Sequence, residues 1–129
     1  MTSKSSLSTP LGKVRYLGSA KSGTEHAWAM RATSVALVPL TIAFVWIILH
    51  LVGKDYATVR DSLGRPLPAI IMLLFLGAGI YHMKLGMRVI IEDYVHGDHA
   101  KTWSLFANSF FSYAIGLACI YAILRISFV

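Results

Sequence analysis

Three long stretches without a charged side chain divide this sequence. Between Arg31 and Lys54 lie 22 uncharged residues, and between Arg65 and Lys84 another 18. A third run extends from about Trp103 to Leu124, where Arg125 closes it. A helix rises about 1.5 Å per residue, so ~20 apolar residues cross a hydrocarbon layer about 30 Å thick. No water is present at that depth to satisfy backbone N–H and C=O groups, so each run must be helical. The expected fold is an all-α membrane protein of three transmembrane helices, over about residues 28–52, 66–91 and 103–125. Polar connections are expected over 53–65 and 92–102. Pro66 and Pro68 suit the first turn of the second helix. Pro39 predicts a kink in the first, which neighbouring helices tolerate.

Composition excludes several function classes. The chain is 56% hydrophobic and 14% charged, against about 25% charged in an ordinary soluble domain. Its net charge of +6 does not point to nucleic acid, because the basic residues gather at the ends of apolar runs, beside lipid headgroups. Residues 1–25 read as a polar tail on the membrane surface or against a partner, and 26–129 as one three-helix anchor. The tail has no apolar core of a secretory signal, and a transit peptide is the alternative reading of its basic, Ser-containing start. Gly18 to Gly23 is a loop without the Gly-Lys-Ser/Thr ending of a phosphate loop. The single cysteine, Cys119, allows no intrachain disulfide and no cysteine metal site, and reads as a small apolar side chain.

Orientation follows from Lys and Arg. Eight of them (Lys4, Lys13, Arg15, Lys21, Arg31, Lys84, Arg88 and Lys101) fall on the side of the N-terminal tail and the second connection. Four (Lys54, Arg60, Arg65 and Arg125) fall on the other. This places the N-terminus in the cytoplasm and the C-terminus in the periplasm. Lys84 and Arg88 are then read as snorkelling to the cytoplasmic interface.

One residue breaks the apolar pattern inside a span. His82 lies within the second run, and ionisable groups at that depth are costly and functional by default. On a helix, Gly79, His82, Gly86 and Asp93 fall within about 60° of one another. An imidazole on a stripe with two missing side chains suggests a large flat ligand such as haem. The other reading of His82 is an interhelical hydrogen bond, and the residues alone leave both open. A six-coordinate haem needs a second axial ligand. His26 and His50 stand at the ends of the first span and His96 and His99 in a polar connection, so that ligand would come from another subunit. Arg31, with His26 five residues before it, is either a cationic pair for haem propionates or ordinary snorkelling. Asp93-Tyr94 at the second span's end offers a phenol to a quinone carbonyl and a carboxylate to relay protons. It also reads as a polar helix end with an interfacial tyrosine.

Taken together, His26, Met30-Arg31-Ala32-Thr33, His82, Gly86-Met87 and Asp93-Tyr94 resemble the hydrophobic membrane anchor of bacterial succinate dehydrogenase, the D-type cytochrome b subunit, in its alphaproteobacterial form. The five-residue spacing from His26 to Arg31 differs from the six of the enterobacterial form. The resemblance implies a subunit of complex II, the succinate:ubiquinone oxidoreductase, that helps bind haem b and ubiquinone. It implies His82 as an axial ligand of the haem iron, Arg31 and His26 at the propionates, and Tyr94 and Asp93 at the quinone. It implies as partners a second cytochrome b anchor, an iron–sulphur subunit and a flavoprotein subunit. This chain is then one subunit of an enzyme with no activity of its own, and the location is the bacterial inner membrane, with the mitochondrial inner membrane second. Two other readings remain: a fumarate reductase-type anchor, and a cofactor-free membrane scaffold or assembly protein. A stand-alone dihaem cytochrome would need about four intramembrane histidines, and only His82 is well placed.

Overall fold

A computed structural model describes residues 22–128. The tail over 1–21 lies outside the described residues. Among the described residues four helices follow one another: α1 (Ser22–Leu51), α2 (Tyr56–Gly64), α3 (Pro66–Tyr94) and α4 (Asp98–Phe128). Three are long and apolar enough to cross a membrane, α1 from Thr24 to Leu51 and α3 and α4 over their full lengths. They exceed the expected spans at their polar ends, and residues 22–25, the end of the expected tail, are helical. The 31 residues of α4 rise about 46 Å, more than the ~30 Å core, so its ends project into the headgroup layer. Hydropathy marks where a chain enters lipid; hydrogen bonding sets where a helix stops. α1 continues through Pro39 as one element.

The expected polar connection over 53–65 is mostly the short helix α2. Asp55 caps it: Oδ2 accepts from the Thr58 amide at 3.2 Å and Oδ1 from the Thr58 hydroxyl at 2.6 Å. Those two bonds, the hydroxyl first, hold the Asp55 carboxyl below the usual carboxylate range. Gly53 makes the turn from α1 at φ 77°, in the left-handed region that disfavours side chains. At the other end α2 meets α4 closely, since a Cβ on Gly64 would stand 3.1 Å from the Ile126 carbonyl oxygen. The second connection shrinks to Val95, His96 and Gly97, and Val95 closes α3 through an N–H bond to the Ile91 carbonyl.

α3 is the middle helix. It packs on α1 at one side and α4 at the other, while α1 and α4 meet at most marginally. Both pairs are antiparallel. Along α1 and α3, His26 meets Arg88, Thr33 meets His82, Leu37 meets Gly79, and Phe44 stacks on Phe75 with ring centroids 4.4 Å apart. Along α3 and α4, Lys84 meets Tyr113 and Asn108, and Ile80 meets Gly116. Small residues bring these helices together, as expected where lipid removes the hydrophobic drive between helices and close van der Waals contact replaces it.

Very little is buried. Among the described residues only Ala69, Leu85, Ile91, Ser112 and Ile123 are inaccessible, while Val35, Leu117 and Phe110 are more than two-thirds exposed. Apolar area on that scale cannot face water. It belongs against acyl chains or other membrane helices.

Candidate functional site

Of the residues singled out by the sequence, His82 and His26 face the α1–α3 interface. His82 is half-buried, and its Nδ1 lies 2.9 Å from Thr33 Oγ1 across the helix pair. The interhelical hydrogen bond anticipated as one reading of His82 is therefore present. It does not exclude the other reading, because it occupies one ring nitrogen of two. Among the described residues, Nδ1 is the only ring atom with a hydrogen-bond partner.

The glycine stripe divides at His82. On the Gly79 side the missing side chain is used by α1: Leu37 lies 3.8 Å from where a Cβ would be. That glycine serves helix packing. On the Gly86 side a Cβ would meet nothing within 4 Å. Of the two stripe glycines, the one with open space beside it is Gly86, one turn C-terminal to the imidazole and towards Asp93.

His26 and Arg31 are not brought together. Five residues separate them by about 140° on a helix. The structure accordingly turns the His26 ring towards α3, where its Nε2 accepts from Arg88 at 2.9 Å. Arg31 is exposed on another face of α1, beside Thr24, Ala27 and Trp28. Arg88 also donates through Nε to Glu92 at 2.7 Å. It ties α1 to α3 and neutralises a carboxylate that would otherwise sit unfavourably near the negative end of the helix dipole.

Asp93 and Tyr94 are the last two residues of α3, not part of a loop. Both are exposed, the tyrosine at 76%. Asp93 is about 20° around the helix from His82 and ~16 Å further along it; Tyr94 is turned roughly 100° away from Asp93. Among the described residues neither makes a side-chain hydrogen bond, so the carboxylate and the phenol are available to whatever docks there.

Three further side chains contribute to the helix contacts: Thr33, Arg88 and Lys84. Thr33 belonged to the quoted motif but carried no role. The signal was its seven-residue spacing from His26, two turns on the same face. Arg88 was read as snorkelling; its i,i+4 spacing to Glu92 pointed to the pairing seen. Lys84 does not reach along its own helix for the interface. It donates to the Tyr113 hydroxyl at 2.8 Å and lies 4.0 Å from that ring's centroid. An apolar cavity of about 370 Å³ lies between α3 and α4, lined by Gly77, Ser112, Gly116 and Cys119 among others. It contains no imidazole or carboxylate and is separate from the α1–α3 cluster. Among the described residues no group of three metal-ligating side chains converges.

The fold and these residues define a class: a multi-pass helical membrane protein with an imidazole and an acidic-phenolic helix end on the same central helix. Residues 5–116 match the model of the succinate dehydrogenase/fumarate reductase transmembrane subunit family, and the chain belongs to that family. It is 37% identical to the succinate dehydrogenase hydrophobic membrane anchor subunit of Paracoccus denitrificans over 91% of this chain and 90% of that one. It is 32% identical to the subunit of the same name from Rickettsia bellii, over 86% and 89%. It is 33% identical to the succinate dehydrogenase membrane anchor subunit of Reclinomonas americana, over 67% and 74%. No solved structure matches it significantly.

Proposed function

We propose that this chain is the hydrophobic membrane anchor of a succinate:ubiquinone oxidoreductase in a bacterial inner membrane, with its N-terminus cytoplasmic. Its partners are a second cytochrome b anchor, an iron–sulphur subunit and a flavoprotein subunit. The names of its relatives support the succinate dehydrogenase role and succinate oxidation as the working direction. The wide apolar exposure of α1 and α4 supports a second anchor against this one.

From this chain, His82 would hold haem b. The observation that carries this is its one-sided engagement: Nδ1 is bonded to Thr33, leaving Nε2 for iron, and the adjacent turn at Gly86 is empty. The donor set fits the group, since a metal-bound imidazole ordinarily donates through its other nitrogen. When bound, haem b exchanges single electrons. Arg31 and His26 serve the propionates from different faces of α1. The His26 contribution requires its ring to share or leave Arg88.

Tyr94 donates a hydrogen bond to a ubiquinone carbonyl, and Asp93 passes protons inward from the cytoplasmic surface. Quinone reduction takes up two electrons and two protons, and a phenol-carboxylate pair at the polar end of a span supplies the donor and the relay. The test is purification of the intact assembly through this chain. The expected result is co-purified flavin and iron–sulphur subunits and a b-type reduced-minus-oxidised spectrum. An assembly with quinone reductase activity but no haem would remove His82's role. A chain free of both partners and haem would return it to a plain scaffold.

A further inference from the structure

We infer that Thr33 is a positioning residue for His82: its oxygen accepts the Nδ1 proton, fixes the ring's tautomer and plane, and so presents Nε2 to a metal. This rests on the reading of His82 as the haem ligand and adds a second residue, on a different helix, to that site.

A threonine hydroxyl has one proton to give and lone pairs to receive. Thr33 Oγ1 lies 2.8 Å from the Ala29 carbonyl oxygen, 3.0 Å from that of Met30 and 2.9 Å from His82 Nδ1. The two carbonyls can only accept, and a hydroxyl proton given to them, as is common one turn back in a helix, leaves the bond to the ring for Nδ1 to donate. The oxygen is then an acceptor towards the ring. Nδ1 carries the ring proton and Nε2 the lone pair. A metal at Nε2 makes the assignment exclusive, because Nδ1 must then hold the proton and Thr33 is its neighbour across the interface.

Geometry makes the acceptor rigid. Thr33 is β-branched, so its χ1 choices in a helix are few, and its backbone bonds select one. The bond joins α1 to α3 at half-buried positions, one turn of α1 before the Leu37–Gly79 contact. Ring rotation would break it. Donation from Nδ1–H also increases the basicity of Nε2 and favours the oxidised metal.

The experiment uses the assembled complex carrying Thr33→Val, Thr33→Ser or His82→Ala. It reads haem per flavin, the rate of haem loss to an apo-haem-protein acceptor, and the haem midpoint potential. Thr33→Val keeps the shape and removes the acceptor. It is expected to raise the potential and weaken haem retention about 10–100-fold, the usual effect of losing a metal ligand's hydrogen-bond partner. Thr33→Ser restores the oxygen and is expected to stay near the parent in both. Should the Val variant not assemble, Thr33→Ala, which removes the acceptor without adding a group, is compared with Ser in its place. Val and Ser variants both equal to the parent would overturn the inference, as would both deviating equally, which would mark the position as sensitive to packing rather than to the oxygen. If His82→Ala kept an unchanged haem spectrum, the ligand reading itself would fail and this inference with it. If His82→Ala lost haem while Thr33→Val changed nothing, only the Thr33 role would fall.

Discussion

Leu37 of α1 lies 3.8 Å from the position a Cβ on Gly79 would take, and two turns along the same face of α3 a Cβ on Gly86 would meet nothing within 4 Å. One missing side chain seats a neighbouring helix; the other leaves room. Gly79→Ala makes an ordinary contact and is expected to leave assembly unchanged. Gly79→Leu would overpack the interface, at a cost of about 1–3 kcal/mol, read as a lower unfolding midpoint of the purified complex. Gly86→Phe is expected to assemble normally yet lose most of its haem, measured as haem per flavin. Full haem in Gly86→Phe would mean that the empty turn is not where the macrocycle lies.

Tyr94→Phe removes one hydroxyl from an exposed helix end and nothing from the packing. It is expected to slow succinate-to-quinone turnover by about a hundredfold, the low end of the ~10²–10⁴-fold range of positioned proton donors. Reduction of an artificial dye by the flavoprotein and iron–sulphur subunits is expected to continue at the parent rate. Asp93→Asn is expected to impair the same assay, with a loss that deepens as pH rises and protons become scarce. Equal rates in quinone and dye assays would remove both residues from the quinone site.

Arg88 joins His26 and Glu92, and the ion pair is about 40% exposed at either end. Screening limits what such a pair is worth. Arg88→Leu is therefore expected to cost under about 1 kcal/mol in the thermal unfolding of the complex. A double-mutant cycle with His26→Ala should yield a coupling of a few tenths. A coupling several times larger would mean that the α1–α3 contact at this level is dry.

The cap on α2 predicts a pH dependence of definite sign. Asp55 has its folded-state pKa lowered by Thr58, so its contribution is complete above the ordinary carboxylate value. It declines as pH falls below that value and is gone once pH passes the lowered folded one. Hydrogen exchange of the α2 amides, corrected for intrinsic rates, should show the helix fraying on acidification. Asp55→Ala should fray at neutral pH, and Asp55→Asn, which still caps, should lose the pH response.

The three crossings were legible because lipid permits so few solutions: an uncharged run of the right length must be a helix. Their ends were not, since Glu92, Asp93 and Tyr94 look like a break in hydropathy while continuing the hydrogen-bond ladder of α3. α2 was hidden by its polarity, although Asp55, Thr58 and Pro66 bracket a helix to a reader of caps. At the site, His82 stood out by type alone. Thr33 did not, because a threonine in a span is ordinary until a second helix delivers an imidazole to it. His26 and Arg31 share a depth in the sequence, but their spacing separates their faces, which arithmetic on the helix reveals without coordinates.

The measurement that bears most directly on this account is the reduced-minus-oxidised spectrum of the assembled complex carrying His82→Ala. Loss of the b-type signal, with flavin and iron–sulphur content intact, is the predicted result. A full signal with unchanged band positions would mean that His82 serves only its bond to Thr33, and that the haem, if this assembly holds one, is ligated elsewhere.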